Sequence, residues 1–259
     1  MASPIRRRAA PISNCLADNS LQGPAQSCDS NSSGKSFCLV PRKLHWFLIA
    51  SALPILVIGA RTAPLAFTVL NAASWNSGRL PDGWQIKVNH GIPNVSFSRD
   101  DAGPSVHLKS VNSSFGLERG VDVDPGEMPF LTWRWKVAQV PPGGDFRHPT
   151  TDDQAAQLLI AFSDRHILSY LWDSTAPRGT LQSASAIPLV HIFAVVCESG
   201  VAQTNRWIVE SHNVAADYER AYGHAAPHVK GIRIQINSQH TGSTAESYFG
   251  EVAFRSAPQ

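Results

Sequence analysis

The sequence predicts an all-β domain, an antiparallel sandwich or barrel with one short helix near residues 214–222. Two observations carry this. Apolar residues alternate with polar ones at period two through almost all of the chain beyond residue 67, as a half-buried strand requires. Glycine- and proline-rich turn signals then divide that stretch at fairly even spacing, as in sandwiches and barrels.

Taken in order, the strand candidates begin with Trp84–Val88, after the turn signal Pro81-Asp82-Gly83. Val95–Ser98 follows Gly91-Ile92-Pro93. Val106 and Leu108 then alternate with His107 and Lys109. Leu131, Trp133, Trp135 and Val137 share one face of a strand, with Thr132, Arg134 and Lys136 on the other. Past Pro141-Pro142-Gly143-Gly144 come Ala156–Phe162, His166–Trp172 and Leu189–Cys197. Beyond Ser199-Gly200, Trp207 and Val209 form the apolar phase against Ile208 and Glu210, with His212 next. The helix spans Val214 to Tyr222, with Asn213 as N-cap and Gly223 ending it. Ile232, Ile234 and Ile236 alternate with Arg233 and Gln235, and Tyr248–Phe254 closes the series after Thr241-Gly242. The chain has no internal repeat.

Ahead of this domain, residues 44–60 hold no charge, bracketed by Arg42 and Lys43 before and Arg61 after. Seventeen residues are short for a membrane span, which takes roughly 20, and long for a signal-peptide core of about 7–15. A cleaved signal and a retained anchor give the same topology, with the basic side in the cytoplasm and the domain of residues 67–259 periplasmic or otherwise outside it. Residues 1–43 are a Ser-, Asn- and Pro-rich basic leader, expected to be disordered or an over-extended gene start. Its Arg6-Arg7-Arg8 lies too far from the apolar run for a twin-arginine signal.

The leader also distorts the charge balance. Taking its six basic and two acidic residues from totals of 22 and 20 leaves 16 and 18, a net charge of −2. Nucleic acid is therefore not an expected partner. Cys15, Cys28 and Cys38 lie in the leader, so Cys197 stands alone in the domain, where a buried inert thiol is expected and no disulfide or thiolate metal site.

No hydrolase elbow, phosphate-binding loop, dinucleotide fingerprint or H-E-x-x-H motif occurs. His224 and His228 have i, i+4 spacing, but Gly223 and Pro227 break any helix between them. The carboxylates Asp152, Asp153, Asp173, Glu210 and Asp217 are the remaining candidates. A glycan hydrolase or lyase would draw its pair from Asp153 and Glu210. Their structural roles compete with this: Asp217 suits the first turn of the helix, and Glu210 suits a cross-strand pair with Arg134.

Six of the seven tryptophans follow residue 67, and flat aromatic faces stack on sugar rings. Trp133, Trp135 and Trp207 sit in apolar phases and belong to the core. Trp172 and Trp75, near strand ends or loops, are freer to meet a ligand. The polar phase gathers Arg134, Lys136, His107, Lys109, Glu210 and His212 into one charged face if their strands adjoin.

Three stretches, Pro129 to Val137 (PFLTWRWKV), Asp152 to Phe162 (DDQAAQLLIAF) and Tyr170-Leu171-Trp172, resemble the bacterial family called domain of unknown function 3047. So do Glu210 to Gly223 (ESHNVAADYERAYG), Gly231 to Asn237 (GIRIQIN) and Tyr248 to Phe254 (YFGEVAF), and the resemblance covers nearly all of 75–254. It implies an exported jelly-roll sandwich, similar to galactose-binding-like and carbohydrate-binding modules, with no assigned activity. The family pattern has arginine where this chain has His212, and aspartates near Asn237 and Gln239. A structural calcium, which prefers oxygen ligands, is weakened by that loss of charge, and no metal or other cofactor is expected.

The resulting expectation is a periplasmic or membrane-tethered, non-catalytic module for a polysaccharide or envelope glycan. Trp172 or Trp75 would provide a stacking platform. Arg134, Lys136, Asp152, Asp153, Glu210, His212, Asn213 and Asp217 would complete the ligand site. The alternatives are the carboxylate-pair enzyme and a structural subunit of an envelope complex.

Overall fold

The structure, a computed structural model, describes residues 65–75, 79–184 and 190–258. The leader and the apolar run of 44–60 lie outside the described residues. Among the described residues no helix is long and apolar enough to cross a membrane.

Among the described residues thirteen strands and one α-helix follow one another: β1 (Ala66–Leu70), β2 (Trp84–His90), β3 (Val95–Asp100), β4 (Gly103–Val111), β5 (Ser114–Val123), β6 (Phe130–Gln139), β7 (Ala156–Phe162), β8 (His166–Asp173), β9 (Leu181–Ser183), β10 (His191–Ser199), β11 (Ile208–Asn213), α1 (Val214–Tyr222), β12 (Val229–Asn237) and β13 (Thr244–Arg255). A six-stranded sheet has the order β11-β6-β13-β4-β3, with β1 added along β13. A seven-stranded sheet has the order β2-β5-β12-β7-β8-β10-β9. The two face each other as a sandwich. All pairings are antiparallel except β8 with β10, which run parallel.

The core is the apolar phase the alternation marks. Leu131, Trp133, Trp135 and Val137 are buried from β6, and Ile232, Ile234 and Ile236 from β12. Aromatic pairs bridge the sheets: Trp133 lies 5.1 Å from Tyr170, and Trp135 meets Trp172 at 6.0 Å and 64°. An edge-on pair such as Trp135–Trp172 adds about 0.5–1.5 kcal/mol to the burial of the rings themselves. Helix α1 begins and ends where the sequence places it. The Asn213 side chain accepts from the Ala216 N–H, and Gly223 turns at φ 79°.

Strand β11 departs from expectation. Its pairing with β6 sets Glu210 opposite Trp133 and Val209 opposite Arg134. Ile208, Glu210 and His212 therefore face inward, and Val209 faces solvent at 66% exposed, while Trp207 lies on the outer face under Arg134 and Lys136. Apolar residues occupy both phases here, so alternation alone could not choose the inner one. The expected Glu210–Arg134 pair is accordingly not formed. Strand β5 was not foreseen, because Gly116, Gly120, Glu118 and Arg119 depress its strand pattern.

Candidate functional site

The outward-facing side chains of the seven-stranded sheet enclose a groove of about 610 Å3. Cross-strand pairing arranges them in three rows. One row runs Gly120, Gly231, Ala161, Ile167, Ile192. The next runs Gln85, Glu118, Arg233, Leu159, Ser169, Ala194. The third runs Gly116, Gln235, Gln157, Leu171, Val196. Polar groups thus collect on β2, β5, β12 and the start of β7, and apolar ones on β8 and β10.

Glycine at position 116 has a packing reason. A Cβ on Gly116 would lie 2.4 Å from the Ile234 carbonyl oxygen, on the neighbouring strand β12. No side chain fits that close approach.

The polar half is a chain of hydrogen bonds. Gln85 Nε2 donates to Glu118 Oε1 at 3.0 Å, and Arg233 Nε donates to Glu118 Oε2 at 3.0 Å. Arg233 Nη1 reaches Gln235 Oε1 at 3.3 Å, and Gln235 Nε2 reaches Gln157 Oε1 at 3.4 Å. Gln157 Nε2 donates to Asn237 Oδ1 at 2.7 Å. Asn237 ends the chain, accepting also from the Gln154 N–H and donating to the Asp152 carbonyl at 2.6 Å. An aspartate in its place could accept both bonds but could not donate the third. Asp152 lines the same end of the groove, and burial raises its carboxyl above the usual range.

The expected site residues are dispersed. Asp152 alone of them borders the groove. Asp153 is fully buried and accepts from the His240 and Thr241 N–H groups and the Thr241 hydroxyl, fastening the loop before β13. Arg134 and Lys136 lie on the outer face of the other sheet, where Arg134 donates to the carbonyls of Ala102 and Pro104 and Lys136 pairs with Asp100 at 2.6 Å. Both cations lie over the Trp207 ring, at 4.7 and 5.0 Å. His107 and Lys109 share that face through Glu246, whereas Glu210 and His212 do not. Trp172 is 0% exposed and Trp75 7%, so neither offers a ring to a ligand. Trp172 is held inside by packing on Trp135 and by its Nε1 bond to the Gly200 carbonyl.

Glu210, His212 and Asp217 meet instead between the sheets. His212 Nδ1 donates to Asp217 Oδ2 at 3.2 Å, and Asp217 also accepts from Tyr170 Oη at 2.9 Å and Arg220 Nη2 at 2.5 Å. The imidazole is flanked by Trp133 and Tyr170, with ring centroids at 5.4 and 4.6 Å. Cys197 Sγ lies 3.5 Å from His212 Nε2. Its thiol is pushed up to about 11 by burial. Asn213 serves as the helix cap.

No tryptophan among the described residues lines the groove, so the aromatic pattern does not mark it. The polar phase of four strands held the signal: Gln85, Glu118, Gln157, Arg233 and Gln235 fall in step with buried neighbours.

A family model described as "Protein of unknown function (DUF3047)" matches residues 82–253. No curated protein matches the chain. Among solved structures, it is similar to the xyloglucanase domain of NopAA, a type three effector from Sinorhizobium fredii, at 10% identity and TM-score 0.43, covering 70% of this chain and 96% of that one. It is similar to the endoglucanase Cel12A from Rhodothermus marinus at 9% identity and TM-score 0.42, covering 75% and 100%. The family 11 carbohydrate-binding module of Lic26A-Cel5E from Clostridium thermocellum matches at 8% identity and TM-score 0.40, covering 74% and 95%.

Proposed function

We propose, for a chain that belongs to the family described as protein of unknown function DUF3047, a non-catalytic glycan-binding role centred on the groove of the seven-stranded sheet. The observation that carries this reading is the hydrogen-bonded chain from Gln85 through Arg233 to Asn237. Amides and a guanidinium offer donors and acceptors side by side, as the hydroxyl pairs of a sugar require. Ile167 and Ile192 opposite supply apolar surface for the C–H faces of sugar rings. Mixed polar and apolar lining of this size suits an oligosaccharide segment.

The carboxylate-pair alternative has less support. Hydrolysis needs two carboxyls on either side of one bond, about 5–9.5 Å apart. Neither Asp153 nor Glu210 lines the groove, and of the two carboxylates that do, Glu118 is engaged by Arg233 and Gln85 and Asp152 by Gln154.

A glycan-array screen of the purified protein tests the reading, with Gln157→Ala in the groove and Lys136→Ala on the opposite sheet. Binding lost in the first variant and kept in the second supports it. Binding lost only in Lys136→Ala, or silence from a folded protein, overturns it. We further propose that residues 44–60 direct the domain across the cytoplasmic membrane. A reporter fusion after residue 67 that is active only in the cytoplasm would sink that part.

A further inference from the structure

We infer that Cys197, Glu210 and His212 form a binding site for one divalent transition ion of the zinc class. It lies between the sheets and is independent of the groove.

The three residues come from facing strands. Cys197 belongs to β10 in the seven-stranded sheet, and Glu210 and His212 to β11 at the edge of the six-stranded one. Their ligand atoms all lie within 4.8 Å of one another. Cys197 Sγ is 3.5 Å from His212 Nε2, and Glu210 Oε2 is 3.9 Å from the same nitrogen. Tetrahedral zinc, with bonds of about 2.3 Å to sulfur and about 2.0 Å to nitrogen or oxygen, sets sulfur and nitrogen about 3.5 Å apart and oxygen and nitrogen about 3.3 Å apart. The first separation matches, and the second requires a shift of about half an ångström.

Two further features point to an ion rather than to chance proximity. Glu210 is only 7% exposed, yet its Oε1 has no hydrogen-bond partner among the described residues. A buried carboxylate oxygen left unpaired is costly, and a bound cation would satisfy it. His212, meanwhile, is already oriented as a ligand. A carboxylate can only accept, so Nδ1 carries the proton that Asp217 receives, and Nε2 is the nitrogen turned toward Cys197 and Glu210. A carboxylate behind the distal imidazole nitrogen is the usual support of a histidine that binds zinc. Asp217 is thus a positioning residue, itself fixed by Tyr170 and Arg220.

The donor set selects the ion. One sulfur, one imidazole and one carboxylate suit zinc or cobalt and do not suit calcium or magnesium, which take oxygen. The ion displaces the thiol proton, and any proton on Nε2, to solvent. Thiolate, carboxylate and divalent cation then sum to zero charge, so the buried Glu210 is neutralised where it stands. Three protein ligands leave a fourth position for water. The His212 side chain is 23% exposed, which provides the way in.

Cobalt(II) titration of the full chain, stripped with chelator and kept reduced, tests this. The wild type should take up cobalt with a thiolate-to-cobalt charge-transfer band, reversed by one equivalent of zinc. Cys197→Ser should lose that band although Cys15, Cys28 and Cys38 remain. Glu210→Gln, which keeps size and shape, should weaken affinity at least tenfold, and Asp217→Asn about 10–100-fold. Zinc should also raise the melting temperature of wild type and not of Cys197→Ser, by mass action on the folded state. No band in wild type overturns the inference. So does a band that persists in Cys197→Ser, or, should that variant not fold, unchanged affinity in Glu210→Gln.

Discussion

Arg233 holds Glu118 from the adjacent strand, donating through Nε at 3.0 Å and through Nη2 to the same carboxylate oxygen. Gln85 fixes the other oxygen. This leaves Arg233 Nη1 directed at Gln235, at the centre of the polar half of the groove. The pair is partly exposed and so contributes little to stability. Its value lies in the direction it gives a guanidinium.

Arg233→Ala should therefore lower affinity for a glycan found by array about 10–100-fold, in keeping with about 1.5–3 kcal/mol for hydrogen bonds to a charged group. Thermal stability should move little. Calorimetric titration against the array ligand reads the first and a melting curve the second. An affinity unchanged from wild type would take Arg233 out of the site.

Gly116→Ala should destabilise the domain by about 1–3 kcal/mol, since the added methyl meets backbone 2.4 Å away and β5 must move off β12. Urea denaturation monitored by tryptophan fluorescence measures this. A neutral result would mean that the two strands part more easily than their pairing implies.

Trp172→Ala should cost about 3–5 kcal/mol through the cavity it leaves against Trp135. Trp172→Phe should cost less, losing chiefly the Nε1 bond to Gly200. In either variant that remains folded, glycan affinity should persist. A selective loss of affinity from a stable variant would restore the tryptophan platform that burial rules out.

Asp145 gives a dependence on pH. The hydrogen bond from Arg147, with the Arg147 N–H and Thr175 beside it, holds its carboxyl well below the usual carboxylate range. A depressed acid adds stability above its unfolded value near 3.9, and this is lost as pH falls toward the folded value. Arg147→Ala should lower stability at pH 7, and the gap to wild type should narrow below pH 4. Denaturant midpoints between pH 3 and 7 would show it. A gap that stays constant would assign the loss to packing.

Asn213→Ala should destabilise by about 1 kcal/mol, the usual worth of a side-chain cap. Because α1 carries Asp217, cobalt affinity should fall as well. A loss confined to stability would show that Asp217 keeps its place without the cap.

Alternation made most of the sandwich legible. β6, β12 and α1 fall where apolar spacing and a cap demand them, because each has a single apolar face. β11 carries apolar residues in both phases, so its inner face is set by pairing with β6, which no local pattern encodes. That reversal moved Glu210 and His212 from the expected surface to the interior. The groove was illegible for a related reason. Its members lie on six strands, from Gln85 to Ala194 and Gln235, and only the strand order makes them neighbours. Reading Trp172 as a platform failed on burial, which position near a strand end does not predict.

Strand β13 binds β4 and β6 on its two sides and β1 beyond, yet it is the last of the thirteen to be made. During synthesis β1 has no partner and β4 and β6 have a gap between them until residue 255 leaves the ribosome. The six-stranded sheet can close only after translation has passed that point. Until then the edges of β4 and β6 that β13 will join keep their backbone N–H and C=O groups unpaired.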